Sequence, residues 1–344
     1  MAVDRRAYIG SFTAAGGRGI TTAAADRDTG ALTVLGATAD LPDPSYLAAA
    51  PGGGLLYAVS ETPDGAVAAF RTGGDTLEQT GPPVPVRGAG PTHLTVHGAH
   101  LITANYGSGG VTSVPLRADG TPGTDVHVLL HQGSGPHPQR QQGPHAHQVL
   151  TDPSGRWLLS VDLGTDSVRV CTLGASGEPK VHREIALRPG SGPRHLAFHP
   201  RGEHAYVLNE LTPTLTVCRW DAEQGALQPL IEVPVLPGPP AGDAYPSEVV
   251  AAPDGRFLWT ATRGADVISV LSLDEGGGMA ALEGTVPCGG RWPRDLALGP
   301  TGRHLYTANE HSGDVTWFAL DTATGLPARA GSVPVPAATC VVFA

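Results

Sequence analysis

The sequence has 344 residues, 40% of them apolar, and a formal net charge of -10. Lys180 is its sole lysine and no cluster of five or more basic residues occurs, which argues against a nucleic-acid or anionic-membrane surface, because phosphate binding needs a basic stripe. The opening "MAVDRRAYIGSF" lacks the apolar core of a signal peptide, and no apolar run reaches the length that spans a bilayer.

Cysteines stand far apart at Cys171, Cys218, Cys288 and Cys340, without a CxxC pair, so a reduced cytoplasmic setting is expected. The 47 glycines and 32 prolines do not form one tract. They recur between apolar runs, as tight turns between strands would require.

Taken in chain order, "AYIGSFT" and "GITTAAADRDTGALTVL" read as three strands of an incomplete unit. Six fuller units follow, beginning at Pro44, Pro91, Ala146, Pro193, Pro246 and Pro293. Their starts are 47, 55, 47, 53 and 47 residues apart. Each unit holds an apolar strand, a turn usually of Pro-x-Gly type, and a second apolar strand, as in "PRHLAFHPRGEHAYVLNE" from Pro193. A third strand comes next ("TPTLTVC", "ADVISVL", "SGDVTWF"), and a weaker fourth after a glycine-containing turn.

Four short strands per period of about 50 residues is the pattern of a propeller blade. Blades bury both faces against their neighbours, which accounts for apolar runs without strict alternation. The C-terminal "ATCVVFA" is expected to supply the missing strand of the first unit. Joining the termini in one blade removes an open sheet edge. The expectation is therefore an all-β chain, a single domain over residues 1–344, folded as a seven-bladed β-propeller of four-stranded antiparallel blades.

Aligning the units on their turn prolines produces two columns. The early column holds Ser45, His147, Arg194, Ser247 and Arg294; the late one holds Glu61, Leu163, Glu210, Arg263 and Glu310. In the unit from Pro91 a shortened turn places Thr92 and His93 early, and Asn105 and Tyr106 late. Both columns are ends of one hairpin, so they emerge on one face. The first strand of a blade is innermost, so the early column is expected to ring the channel mouth. His147, Arg194, Glu210, Arg263 and Arg294 then converge there from adjacent blades. A core role fits such residues badly, since unpaired buried charge is costly; a structural ion pair between Arg194 and Glu210 is the competing reading.

At these residues the chain resembles the lactonase family of seven-bladed propellers, which includes bacterial 6-phosphogluconolactonase and a fungal muconate lactonising enzyme. The phrases that carry the resemblance are "YIGSFT", "GPHAHQV", "GPRHLAFHP", "AYVLNE", "DGRFLWTATRGADVISVLSLD" and "PRDLALGPTGRHLYTANE", across nearly the whole chain. The resemblance implies a lactone-handling site at one end of the channel. It implies catalytic roles for His147, Arg194, Glu210 and Arg263. Thr262 departs from the family's asparagine, and Glu310 stands where relatives commonly have glutamine. The insertion "HQGSGPHPQRQQGPHAH" is a further departure that bears on substrate choice.

Opening a lactone needs an activated water, a cradle for the oxyanion and a grip on any distal anion. Arginine suits the last two roles. His147 or Glu210 is the candidate base; pairing with Arg194 should lower the carboxyl pKa, which favours His147. Arg294, His93, His195, Asn105 and Glu310 are the expected substrate contacts. The expected enzyme is a carboxylic ester hydrolase of carbohydrate metabolism, monomeric or weakly dimeric, acting on an anionic small-molecule lactone. A muconate cycloisomerase and a non-catalytic interaction propeller are the alternatives.

Fourteen histidines invite a metal, and His131, His137, His145 and His147 share one stretch. None has the spacing of a zinc motif, so neither metal nor cofactor is expected, although His145 and His147 should share a face. Cys171 and Cys218 occupy the column of Leu271 and Phe318 and read as small core residues. Ser45 and Ser247 lie outside any GxSxG elbow.

Overall fold

The computed structural model describes residues 5–344. Seven antiparallel sheets follow one another around a ring. Blade 1 joins the termini: Ala338–Phe343 is its innermost strand, followed outward by Arg5–Ser11, Ile20–Ala25 and Leu32–Thr38. Blades 2 to 7 begin with the inner strands Leu47–Ala49, Pro91–His97, Ala146–Thr151, Pro193–Phe198, Tyr245–Ala251 and Pro293–Leu298. The expected closure by the C-terminal strand is what the register shows, with Tyr8 opposite Val342 and Gly10 opposite Cys340.

Local chemistry sets the hairpins. In "DPSG", "HPRG", "APDG" and "GPTG" the glycine closes a turn in the left-handed region, with φ of 75, 76, 73 and 68° at Gly155, Gly202, Gly255 and Gly302. Each glycine N–H donates to the carbonyl three residues earlier, as from Gly202 to His199 at 2.8 Å. One blade departs from the four-strand plan. The outer strand of blade 2 is split into Glu78–Gln79 and Val84–Pro85 around Pro82 and Pro83, whose lack of N–H groups interrupts the ladder.

Burial explains why the strands are apolar on both sides. Ala205 and Val207 pack with Trp157, Val161 and Val170 of blade 4. The intervening Tyr206 and Leu208 pack with Leu258 and Leu271 of blade 6. Every gap between neighbouring blades holds such an apolar cluster. Cys171 and Cys218 lie within these clusters, fully buried. Among the described residues no helix is long and apolar enough to cross a membrane.

One irregularity recurs and positions the site. Near the start of the inner strand the register slips, so that Thr92, His147, Arg194, Arg294 and Thr339 have no partner opposite them. In blade 6 the slip takes in both Ser247 and Glu248. A β-bulge frees one residue from the pleat and re-aims its side chain. Here it turns the early column of the sequence toward the channel.

Candidate active site

The site forms where the bulged residues of neighbouring blades meet the ends of the second strands. Inner strands are stitched together around it. Thr92 donates its hydroxyl to the His147 carbonyl at 3.0 Å, Leu196 N–H donates to Gln148 Oε1 at 2.7 Å, and Ser247 donates to the Pro293 carbonyl at 2.6 Å. These bonds fix the backbone from which the functional side chains project.

At the centre is Glu210, buried to 3% exposure. Its Oε2 lies 3.1 Å from Arg194 Nε and 2.8 Å from Arg263 Nη2, and its Oε1 lies 2.6 Å from Arg140 Nη2. Only Arg140 directs an N–H along the line to the carboxylate. Arg194 Nε and Arg263 Nη2 are buried donors without a hydrogen bond, despite their closeness to Glu210. They are ion-paired with Glu210 rather than aligned with it, which leaves their N–H groups able to meet a further acceptor. Arg194 also donates through Nη1 to the Ser247 carbonyl, and Arg263 through Nε to the Tyr245 carbonyl at 3.2 Å.

Burial opposes ionisation of Glu210, but Arg263, Arg194 and Arg140 together bring its pKa down to about 2. It is thus a fixed negative charge at neutral pH and a poor proton acceptor. Burial and the neighbouring Arg263 lower Arg194 to about 9, which leaves it charged at pH 7.

Three imidazoles form the wall beside this cluster. The His147 and His195 rings are 5.1 Å apart and those of His93 and His195 are 5.4 Å apart, all meeting edge to face. Burial first, then Arg194 and His195, hold His147 well below the ordinary histidine pKa. It is therefore neutral at pH 7, the form that accepts a proton. Its Nδ1 is buried and unpartnered. His195 is tied differently: its Nδ1 lies 2.6 Å from Glu248 Oε2. His93 stacks at 3.9 Å on Tyr46.

The far side of the mouth is carried by Arg294, 3.2 Å from Glu310 and 3.7 Å from Glu61, with its guanidinium over Phe12. Burial raises the Glu61 pKa against the pull of Arg294.

Of the residues expected from sequence, His147, Arg194, Glu210, Arg263, Arg294, His93, His195 and Glu310 share this end of the channel. Asn105 does not face it. Its carboxamide is fully buried in blade 3, donating to Thr112 Oγ1 at 2.8 Å and accepting from Thr103 Oγ1 at 2.9 Å. Asn209 and Asn309 bond threonines of their own blades in the same way, so this asparagine column braces hairpins.

The paired histidines both touch the Tyr106 ring but differ in their other contacts. His145 stacks on Tyr106 at 4.4 Å and its Nδ1 lies 2.8 Å from the Tyr106 carbonyl, while the bulge sends His147 toward His195. Among the described residues no group of three or more His, Cys, Asp or Glu side chains is placed to hold a metal ion.

Sequence reasoning missed Arg140, Glu248 and Asp295. The last two sit one residue beyond the early column, in a second tier with His93 and His195. Burial raises Glu248 to about 7, and burial plus the Glu248 charge raises Asp295 well above the carboxylate range. Burial and the repulsion that Glu248 exerts on Asp295 both favour a protonated carboxyl in this pair.

Residues 6–343 match the family described as Lactonase, 7-bladed beta-propeller. The chain belongs to that family. It is 32% identical over 280 residues to the 6-phosphogluconolactonase of Bacillus subtilis (strain 168), covering 80% of this chain and 79% of the relative. The Pseudomonas aeruginosa periplasmic gluconolactonase has a similar structure, with a TM-score of 0.92 and 29% identity, covering 98% of each chain. A Lactobacillus plantarum protein superposes with a TM-score of 0.93 at 29% identity, covering 99% of each chain. As a lactonase-family member the chain is a carboxylic ester hydrolase that acts on a small-molecule lactone.

Proposed function

We propose that this lactonase-family protein opens a sugar-type lactone bearing an anionic group, with water activated at the channel mouth. The observation that carries the reading is the meeting of a neutral, buried His147 with the guanidiniums of Arg194 and Arg263, whose N–H groups are not aligned on Glu210. A base and an oxyanion cradle are the two things ester hydrolysis requires.

In this reading His147 takes a proton from water as the oxygen attacks the lactone carbonyl. Charge building on the carbonyl oxygen is met by Arg194 and Arg263. The ring C–O bond then breaks, and the leaving alkoxide takes the proton back from His147. The product is a hydroxy acid, which releases one proton to solvent at neutral pH. Glu210 keeps the guanidiniums in place, and its low pKa fits it for that task rather than for proton transfer.

The names of the Bacillus and Pseudomonas relatives favour gluconolactone chemistry and hence a place in carbohydrate metabolism. A cytoplasmic location is consistent with cysteines that are all free thiols. A monomer or weak homodimer is consistent with a ring closed by both termini. Titration of acid release at constant pH tests the function. Faster opening of 6-phosphoglucono-δ-lactone or glucono-δ-lactone than in buffer is expected. No acceleration of either, with turnover of a muconate, would make the enzyme a cycloisomerase.

A further inference from the structure

The spacing between the third and fourth blades is 55 residues rather than 47 because a loop intervenes before Ala146. That loop is held firmly. His131 Nδ1 lies 2.6 Å from Asp162, Arg169 donates to the Gln132 carbonyl at 3.0 Å, and Gln141 donates to the Leu163 carbonyl at 2.8 Å. Gly135 and His137 N–H groups both bond Gln141, at 3.0 Å each. The next residue back, Arg140, is thereby placed over the mouth.

Arg140 differs from the arginines beside it. Its side chain is 34% exposed, against 3% for Arg194 and 9% for Arg263. Its Nη2 bonds both Glu210 and the Tyr106 hydroxyl, at 2.6 and 3.2 Å. Among the described residues its Nη1 and Nε make no hydrogen bond. Around Glu210, three guanidiniums meet one carboxylate, while Arg294 across the mouth has Glu61 and Glu310. Glu210 can balance only one of the three guanidiniums, so the cluster stays net positive, and Arg140 is its solvent-exposed member.

We propose that Arg140 is a specificity-determining residue, gripping the phosphate of a phosphorylated lactone through the part of its fork that Glu210 leaves free. The inference rests on the hydrolase reading above. The inner arginines meet the reacting carbonyl; Arg140 meets the distal anion. Tyr106 and Glu210 keep its fork in one orientation, so little is lost in ordering it when substrate arrives.

The test compares kcat/KM for 6-phosphoglucono-δ-lactone and glucono-δ-lactone in wild type, Arg140→Ala and Arg140→Lys. A charged hydrogen bond to phosphate predicts that the phosphorylated-to-neutral ratio falls about 10- to 100-fold in Arg140→Ala. The loss should appear mainly in KM, and Arg140→Lys should recover part of it by keeping the charge. A role limited to bracing Glu210 would depress both substrates alike and leave the ratio within about threefold, which overturns the inference alone. Wild-type protein that opens neither lactone overturns this inference together with the hydrolase reading.

Discussion

The Nε of Arg194 lies 3.1 Å from Oε2 of Glu210 yet forms no hydrogen bond with it. The two charges hold each other in place while the N–H looks elsewhere. This separates the task of fixing a guanidinium from the task of using it. Arg194→Ala should lower kcat about 100- to 1000-fold, the usual loss of one oxyanion donor. Arg140 and Arg263 remain on Glu210, so circular dichroism should show the wild-type fold. Near-normal turnover in the variant would exclude Arg194 from the cradle.

Proton transfer by His147 predicts a particular pH profile. Burial, Arg194 and His195 hold its pKa below the ordinary value near 6.5, so it loses activity only when pH falls through that lowered value. The acid limb of kcat/KM should therefore lie below about pH 6.5. His147→Gln should lower kcat about 100-fold or more and abolish that limb. If the limb persists in the variant, another group is the base.

The Glu248 and Asp295 pair makes a statement about stability. Both carboxyls titrate higher in the folded chain than in the unfolded one, where they ionise near pH 4. Their contribution is present below that pH and is lost as pH rises toward and past about 7, the folded value for Glu248. Asp295→Asn removes the like charge and keeps an oxygen to accept from Val341 N–H, now bonded at 2.8 Å. Thermal melts should show the variant gaining on wild type at pH 8 relative to pH 5. An equal difference at both pH values would mean that the pair does not favour a protonated carboxyl.

Ring closure can be tested by truncation. Removing Ala338–Ala344 uncovers the edge of the strand Arg5–Ser11 and the cluster containing Ile9, Ala308 and Val341. The truncated chain should aggregate or lose its cooperative melt. A soluble product with the wild-type melting curve would contradict the closure.

The propeller was legible because most blades repeat one pattern of strand, turn and strand: alignment on Pro200 and its four counterparts recovers five blades, and the apolar strands around the shortened turn after Pro91 and at the two termini supply the other two. The rim column was legible for the same reason. What lay hidden follows from the bulge. A single slipped residue leaves no mark on an apolar run, so the strand pattern does not single out Glu248 and Asp295, next to Ser247 and Arg294. The column Tyr46, His93, Gln148, His195, Glu248, Asp295 and Cys340 is polar enough to have been noticed. Asn105 misled because the end of a strand shows where a residue sits but not which way it points. Arg140 belongs to no repeat; only the three-dimensional path of its loop brings it across 70 residues of sequence to Glu210.

A crystal structure soaked with an aldonate product, the open form of the lactone, tests the account most directly. The account predicts the product carboxylate within about 3 Å of Arg194 Nε and Arg263 Nη2, with the His147 ring facing it. Product bound at the opposite mouth of the channel, or seated away from both arginines, would contradict it.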